Sequence, residues 1–583
     1  MPTWTRWLPA LDLRTWRPRD LLPDLTAAAA VTVLSVPQGL AYAMLAGLPP
    51  AVGLYAAIWP AVFGALFRSS RHVVAGPTNA LSLLVGTAVA SVAASTGASP
   101  AELAVSLALA VGVVQLAAGG LRLGAVVDYI SNSVVLGYIT GAAVLIALGQ
   151  LPHLTRTPME GAHLPARLFS WASGLAAADL RSLALGLGTV VGIAGLRRLD
   201  RRIPGPLVAM AAGIASFMAF GLHDAGLRTL ADLARTPEGF PPFTLPRLDV
   251  LGPLIPAAIA ATVLSLVESN SVARSLARRS GDRVDSSVEF AGQGLANLAA
   301  AFTGGYPVSG SLARSTVNWR TGARSRLAGV FGAGMVALVV LGFGSVADQT
   351  PLATLAGILM VLAWDLVEWD RIRMTLRGGA GDVAAFLATL VGAWIFDLDK
   401  AIYLGVAISI ALFLRRARML TVTELIVDGE DRLAERQESG ESGERHCSAV
   451  RVLHVEGSLF FGAASELSES LEGVIADPAI RVLVLRLKRC HGLDVTTCEV
   501  LRGVVEGMRR NGRHVVLVGM RPAVMARMEA FGLVESFGRE NLFPTEPGWF
   551  VAMDHAVDRA LHLAGEHEEH CPLAAYRGGR AQS

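Results

Sequence analysis

Apolar residues recur in this chain as long runs between short polar breaks over roughly its first 415 positions. A bilayer core of ~30 Å is crossed by about 20 residues of helix. Such runs fall at 25–45, 51–67, 77–94, 101–121, 125–148, 183–196 and 206–220. A second set falls at 251–272, 288–302, 310–319, 327–346, 352–364, 383–396 and 401–414. Together they predict an α-helical polytopic membrane domain of 14 spans over 21–420, after a short segment 1–20. Several runs are shorter than a bilayer, which is tolerable only where broken backbone is buried in protein or lines a cavity. Beyond 420 the pattern changes. Residues 428–447, rich in Glu, Ser, Gly and Arg, read as a solvated linker. Strand-like runs at 450–455, 482–487 and 514–518 then alternate with amphipathic helices near 464–475, 496–510 and 523–531. That alternation predicts a small α/β domain over 448–565, with 566–583 left as a tail.

Composition agrees with the hydropathy. The chain has 583 residues, 52% hydrophobic and 17% charged, with a mean hydropathy of +0.49, too apolar for a soluble enzyme of this size. The net charge of +2 is uninformative, but its distribution is not. Every second loop is arginine-rich: Arg68 and Arg71; Arg122; Arg197, Arg198, Arg201 and Arg202; Arg274, Arg278, Arg279 and Arg283; Arg320, Arg324 and Arg326; Arg371, Arg373 and Arg377; Arg415, Arg416 and Arg418. Cytoplasmic loops keep positive charge, and an even number of spans then puts both termini in the cytoplasm of a bacterial-type inner membrane. Trp4, Arg6, Trp7 and Arg14 precede the first apolar run without the small-residue cleavage site of a signal peptide. The four cysteines, Cys447, Cys490, Cys498 and Cys571, follow the membrane domain without metal or redox spacing and read as reduced cytosolic thiols. No nucleophile motif, phosphate loop or metal constellation is found, so neither an enzyme nor a cofactor is expected, and no nucleic-acid partner.

Internal similarity locates a site. Thr32-Val33-Leu34-Ser35 recurs as Thr262-Val263-Leu264-Ser265, pairing Gln38 with Glu268, and Val74-Ala75-Gly76 before Pro77 corresponds to Val308-Ser309-Gly310 before Ser311. Two halves of seven spans each follow, and an odd number per half inverts one copy relative to the other. The segments 72–77 and 306–310 are β-prone stretches leading into helix starts where unbroken helix is expected. They read as discontinuous spans, whose mid-membrane N-termini direct unpaired N–H groups and partial positive charge at one spot, an anion site. Pro77 suits the first helical position, and Ser311 offers a hydroxyl. The alternative is two kinked helices packed by small residues.

These residues resemble the sulfate permease (SulP) family, which includes the animal anion exchangers related to prestin. The resemblance rests on Val36-Pro37-Gln38-Gly39-Leu40-Ala41-Tyr42-Ala43 with Gly47-Leu48-Pro49-Pro50 and Gly53-Leu54-Tyr55; on Ser70-Arg71-His72 through Gly76-Pro77; on Glu268 through Asn297; and on Gly310-Ser311-Leu312-Ala313-Arg314 through Gly322-Ala323-Arg324. It implies a seven-plus-seven inverted repeat with core and gate domains, an elevator-like motion, a homodimer and anion transport. The implied pocket is lined by Gln38 and Tyr42, with Thr78 near the first half-helix start. The backbone from Ser311 through Leu312 to Ala313 lies at the second, and Arg314 supplies positive potential with or without touching the anion. Several relatives have a serine where this chain has Ala313, which leaves more to the backbone donors.

Glu268 is the proton-coupling candidate. An ionised carboxylate at mid-span is costly in low dielectric, and it repels a neighbouring anion until protonated, so proton and anion travel together. The resemblance implies an aspartate followed by a threonine one turn later in the sodium-using bicarbonate transporters; Glu268 and Val272 here depart from that pattern. The alternative is a structural ion pair between Glu268 and Arg314.

The C-terminal domain resembles a STAS domain, the module shared with anti-sigma-factor antagonists, through Val484-Leu485-Arg486-Leu487 followed by Leu493-Asp494-Val495-Thr496-Thr497. Asp494 or Thr496 caps the helix that follows, and the resemblance makes Thr496 or Thr497 a candidate phosphorylation or partner site. His562, His567, His570 and Cys571 sit among glutamates at the end of the chain and are not read as a metal site. The expected function is proton-coupled sulfate uptake, the partners being a small inorganic anion, protons and the lipid bilayer. Bicarbonate or C4-dicarboxylate transport, or an anion sensor signalling through the STAS domain, are the rivals.

Overall fold

The computed structural model describes residues 16–161, 163–200, 203–223, 226–233, 240–428, 430, 432–436, 447–547, 550–565 and 571–580. Trp4, Arg6, Trp7, Arg14, Arg201, Arg202, His567 and His570 lie outside them. The chain divides into two compact units, 1–410 and 411–583.

The first half of the membrane unit comprises α1 (Leu21–Leu45), α2 (Pro50–Tyr55), α3 (Trp59–Phe67), a short strand β1 (Ala75–Gly76), α4 (Asn79–Thr96), α5 (Pro100–Gly120), α6 (Asn132–Gly149), α7 (Leu151–Thr155), α8 (Leu164–Gly174), α9 (Leu180–Leu199) and α10 (Gly205–Ala219). The second comprises α11 (Leu251–Ser280), α12 (Ser286–Phe302), β2 (Ser309–Gly310), α13 (Leu312–Arg320), α14 (Leu327–Asp348), α15 (Leu352–Leu366), α16 (Trp369–Leu376), α17 (Ala380–Ile395) and α18 (Leu398–Ala417), the last running across the boundary between units. Counting α2 with α3, α6 with α7 and α15 with α16 as one span each, and leaving the loop helix α8 aside, gives the fourteen read from hydropathy, as two inverted sevens. Among the described residues, nine stretches are long and apolar enough to cross a membrane on length and composition alone. The remaining spans are short or carry polar residues.

Local chemistry sets the ends. Ser99 accepts from the Glu102 N–H while Glu102 reaches back to the Ser99 N–H at 3.1 Å, with Pro100 in the first turn of α5. Gly97 and Gly281, both with left-handed φ, close α4 and α11. Span five begins at Asn132 rather than 125, because Ser131 caps α6 there with its hydroxyl. The amphipathic helix α8 falls in a loop where none was predicted.

The helices fall into two groups, which meet where α1 touches α10 and α15 and where α4 touches α6. One holds α1 to α5 with α11 to α14, the core; the other holds α6, α7, α9 and α10 with α15 to α17, in the gate. Within the core, α5 and α12 approach so closely that a side chain on Gly119 would stand 2.6 Å from the Ala291 nitrogen. Without a hydrophobic drive in lipid, such small-residue contacts hold helices together.

The second unit contains a six-stranded sheet in the order β4 (Leu433–Glu435), β3 (Thr421–Val427), β5 (Val450–Leu459), β6 (Val482–Leu493), β7 (His514–Met520), β8 (Leu542–Pro544). Strands β5 to β8 are parallel, and β3 is antiparallel to both neighbours. Strand alternation sorts the core: Leu453, Val455, Leu483 and Leu485 pack on one face with α19 (Ala464–Ala476), α20 (Val495–Arg510), α21 (Pro522–Ala530) and α22 (Leu533–Phe537). Val450, Val452, Val482 and Val484 face α23 (Val551–Ala564) and α24 (Pro572–Arg580). Two sequence expectations are corrected here. Strand β3 precedes the segment read as linker, and β4 lies inside it, because both gain their partners from residues outside that stretch. The segment read as a terminal tail contains α24, held by Leu573 and Tyr576 in the core and by a 2.6 Å bond from the Tyr576 hydroxyl to Asp554.

Candidate binding site

The two discontinuous spans meet. Ala75 pairs with Gly310 and Gly76 with Ser309 in a two-stranded antiparallel ribbon. Since 75 corresponds to 309 and 76 to 310 in the repeat, this is the pairing a twofold axis between inverted copies produces. The ribbon is extended by Ser311 N–H donating to the Val74 carbonyl at 3.1 Å. Ser315 accepts from the Val74 N–H at 2.9 Å, and Asn318 donates to the His72 carbonyl at 3.1 Å.

Each strand runs into a half-helix, two residues later than the sequence suggested. Pro77 is therefore not the first helical residue; Thr78, with extended backbone, is the N-cap of α4. Its hydroxyl makes no bond to its own helix. Instead it donates to Glu268 Oε2 at 3.1 Å. On the other side Ser311 caps α13 by accepting from the Arg314 N–H at 3.5 Å, so its hydroxyl supports the helix start. Leu312 and Ala313, in the first turn of α13, are exposed, whereas Ser311 and Thr78 are buried.

Arg314 does not pair with Glu268; the two are not within ion-pair distance. Its guanidinium, fully buried, donates to the Pro77 carbonyl at 2.6 Å, tying the second half-helix to the first. It lies directly against Gly76, where a Cβ would stand 2.8 Å from Nη1 and 3.0 Å from Nη2. Arg314 thus braces the site from behind and contributes charge at short range. Gln38 and Tyr42, one turn apart on α1, lie on the helix that packs against both α4 and α13. Gln38 is buried with its Oε1 lacking a protein partner among the described residues, and Tyr42 is buried one turn on. The arrangement offers N–H and O–H donors, a fixed cation and one carboxylate around a common point.

A model of the sulfate permease family matches residues 21–389, and one of the STAS domain matches 445–547. The chain belongs to the sulfate permease family. It is 27% identical over 555 residues to a probable sulfate transporter of Mycobacterium tuberculosis, covering 94% of this chain and 98% of that protein. It is 28% identical over 530 residues to a putative sulfate transporter of Bacillus subtilis, covering 89% and 95%. It is also 28% identical over 492 residues to human solute carrier family 26 member 6, covering 80% of this chain and 64% of the human protein. The structure superimposes on murine solute carrier 26 family member A9, an anion transporter in the inward-facing state, with a TM-score of 0.87 and 20% identity, covering 96% and 95%. This sulfate permease family member is a multi-pass membrane transporter with a STAS domain, not an enzyme.

Sequence reasoning missed the residues that hold the ribbon. Asn297 accepts from the Val308 N–H at 2.7 Å and donates to Gln115 at 2.7 Å and to the Val308 carbonyl at 3.2 Å. Gln293 donates to the same carbonyl at 2.6 Å. All three amides are fully buried. Glu289, also fully buried, accepts from the Ser70 N–H at 3.1 Å and faces Arg68 at 3.8 Å. Arg326 gathers the carbonyls of Arg68, Ser69 and Ser70. The available signal was polar side chains inside apolar runs, above all Gln293 and Asn297 spaced by four.

In the STAS domain the cap is Asp494, not Thr496. Its Oδ1 accepts from the Thr497 N–H at 2.9 Å and from the Thr497 hydroxyl at 3.0 Å, and Oδ2 from the Phe461 N–H at 2.5 Å. Thr497 is buried and Thr496 exposed. The buried Cys571 thiol beside Cys447, 124 positions away in sequence, holds the Cys447 thiol below its ordinary range. Burial pushes Cys490 up to about 12 and Cys498 up to about 11.

Proposed function

We propose that this protein is a secondary active transporter that takes up a small inorganic anion, sulfate, with protons, by elevator-type alternating access. It works as a homodimer in an inner membrane with both termini cytoplasmic. The bond between Thr78 and Glu268 carries the reading, because it joins a half-helix start to the one carboxylate of the site.

The mechanism follows from charge. Unpaired N–H groups at the starts of α4 and α13, with their helix dipoles, attract an oxyanion. Gln38 and Tyr42 bound it on the α1 side, and Arg314 holds the two starts at fixed spacing. Ionised Glu268 occupies the Thr78 hydroxyl and repels the anion. Proton uptake on Glu268 cancels the repulsion and frees that hydroxyl to turn to the anion. Loading therefore favours both ligands or neither, and the core slides against the gate with the pair. Transport belongs to 21–420 and regulation to 448–565, where the loop from Asp494 through Thr496 to Thr497 meets a cytosolic partner.

The names of the bacterial relatives support sulfate over bicarbonate and C4-dicarboxylates. The test is net uptake of radiolabelled sulfate into proteoliposomes, with and without an inward proton gradient, against unlabelled bicarbonate and succinate. Gradient-stimulated sulfate uptake is expected. Preferential displacement by bicarbonate or succinate reassigns the substrate, and absence of any net flux contradicts transport and leaves the sensor.

A further inference from the structure

A second basic cavity lies in the gate, away from the half-helix site. It measures about 360 Å³, and its polar lining comes from His153, Arg156, Thr157, Ser182, Arg228 and the backbone at Ala353. Arg156 follows α6 and α7, and Arg228 lies between α10 and α11, so both stand on loops that alternate with the arginine-rich ones. The same loops carry Arg167, Arg181 and Arg247 as well, but Arg156 and Arg228 are the two arginines that line this cavity.

Their placement is built into the backbone. The segment carrying Arg228 forms an antiparallel bridge, Thr229 to Pro351, at the entry to α15. The Leu352 N–H donates to the Arg228 carbonyl at 3.0 Å and the Leu230 N–H to the Thr350 carbonyl at 3.0 Å. This fixes Arg228 beside the first turn of α15, a 15-residue helix whose N-cap, Pro351, supplies no side-chain bond. Arg156 adopts a left-handed conformation with φ 57, its N–H bonded to the Pro152 carbonyl at 2.8 Å. Asp179, which caps α9, holds Arg156 Nη1 at 2.8 Å. That is the carboxylate contact to this set; Arg228 and the His153 ring have no carboxylate partner among the described residues.

We propose that this cavity is a second anion site, which takes a small divalent oxyanion of the sulfate class on the side of the membrane opposite the arginine-rich loops. It draws on the reading above only for the class of anion. Two guanidinium groups supply charge-assisted donors, Ser182 and Thr157 line the wall, and the start of α15 adds its dipole. The volume is at the lower end of ordinary ligand pockets, ample for an oxyanion with water.

Equilibrium binding of radiolabelled sulfate to the full chain in phosphatidylcholine nanodiscs tests it. Two sites per chain are expected. Arg228→Gln and His153→Gln each weaken one of them by about tenfold or more and leave the other intact. Arg228 is exposed and its contacts are made by its backbone, so its replacement preserves the fold. A single site in the wild type, or wild-type isotherms for both Arg228→Gln and Arg228→Glu, overturns the proposal. Gly76→Ala weakens the other site at least tenfold. If Gly76→Ala leaves binding unchanged while Arg228→Gln alters it, the half-helix reading fails and this one stands. A lipid phosphate carries the same chemistry: with phosphatidylglycerol in the disc, headgroup occupancy removes the Arg228-dependent step, and a site for free oxyanions keeps it.

Discussion

Gly76→Ala probes the join between the half-helices. The new Cβ would stand 2.8 to 3.1 Å from three guanidinium atoms of Arg314, and Gly76 has φ +153, a conformation side chains rarely adopt. Arg314 cannot retreat without breaking its 2.6 Å bond to the Pro77 carbonyl. Losing a buried charge-assisted bond costs about 1.5–3 kcal/mol, and the backbone strain adds roughly 1–3 kcal/mol. The first term falls on the site and corresponds to about 10- to 150-fold in anion affinity; the second falls on stability. Gly47→Ala is the matched control, since Gly47 has φ +66 with nothing within 4 Å, so it carries strain without a clash. Sulfate uptake kinetics and thermal unfolding of both full-length variants separate the terms. Gly76→Ala is expected to raise KM for sulfate at least tenfold, and Gly47→Ala to lower stability with KM unchanged. Equal KM values for the two variants refute the brace assigned to Arg314.

Asn297→Ala strands the buried Val308 N–H and the Gln115 amide; an unsatisfied group of this kind costs about 1–3 kcal/mol, and raised KM with retained expression is the expected result in uptake assays. Asp494→Ala removes the cap of α20 and the tie to Phe461, lowering the stability of the STAS unit by about 1–2 kcal/mol, read by denaturant unfolding of the full chain. Gly119→Val forces α5 from α12, and a size-exclusion profile of misfolded protein is expected, with Gly120→Val, which faces open space, behaving as wild type.

How much was legible follows the range of each interaction. Spans, the Asp494 cap and the half-helix starts are written in neighbouring residues, and hydropathy, a capping residue and two recurring tetrads or triads found them. The start of α4 was misplaced by two residues because Pro77 suits a first turn, yet the ribbon to β2 keeps Ala75 and Gly76 extended. The direction of Arg314 was not legible: its partner, the Pro77 carbonyl, is 237 positions away. The same holds for β3 and β4, whose short sequences become strands only by pairing, and for α24, whose apolar face lies in a charge-rich segment. Glu268 stood out as a carboxylate in an apolar run, but its partner Thr78 is 190 positions distant.

Coupling through Glu268 is the central claim. Its most direct measurement is proton movement accompanying a sulfate gradient imposed on proteoliposomes, followed with a trapped pH dye, for the wild type and Glu268→Gln. The wild type should acidify the lumen as sulfate enters, and Glu268→Gln should bind sulfate but move it without protons and without response to a pH gradient. Sulfate-driven proton entry that persists in Glu268→Gln contradicts the account.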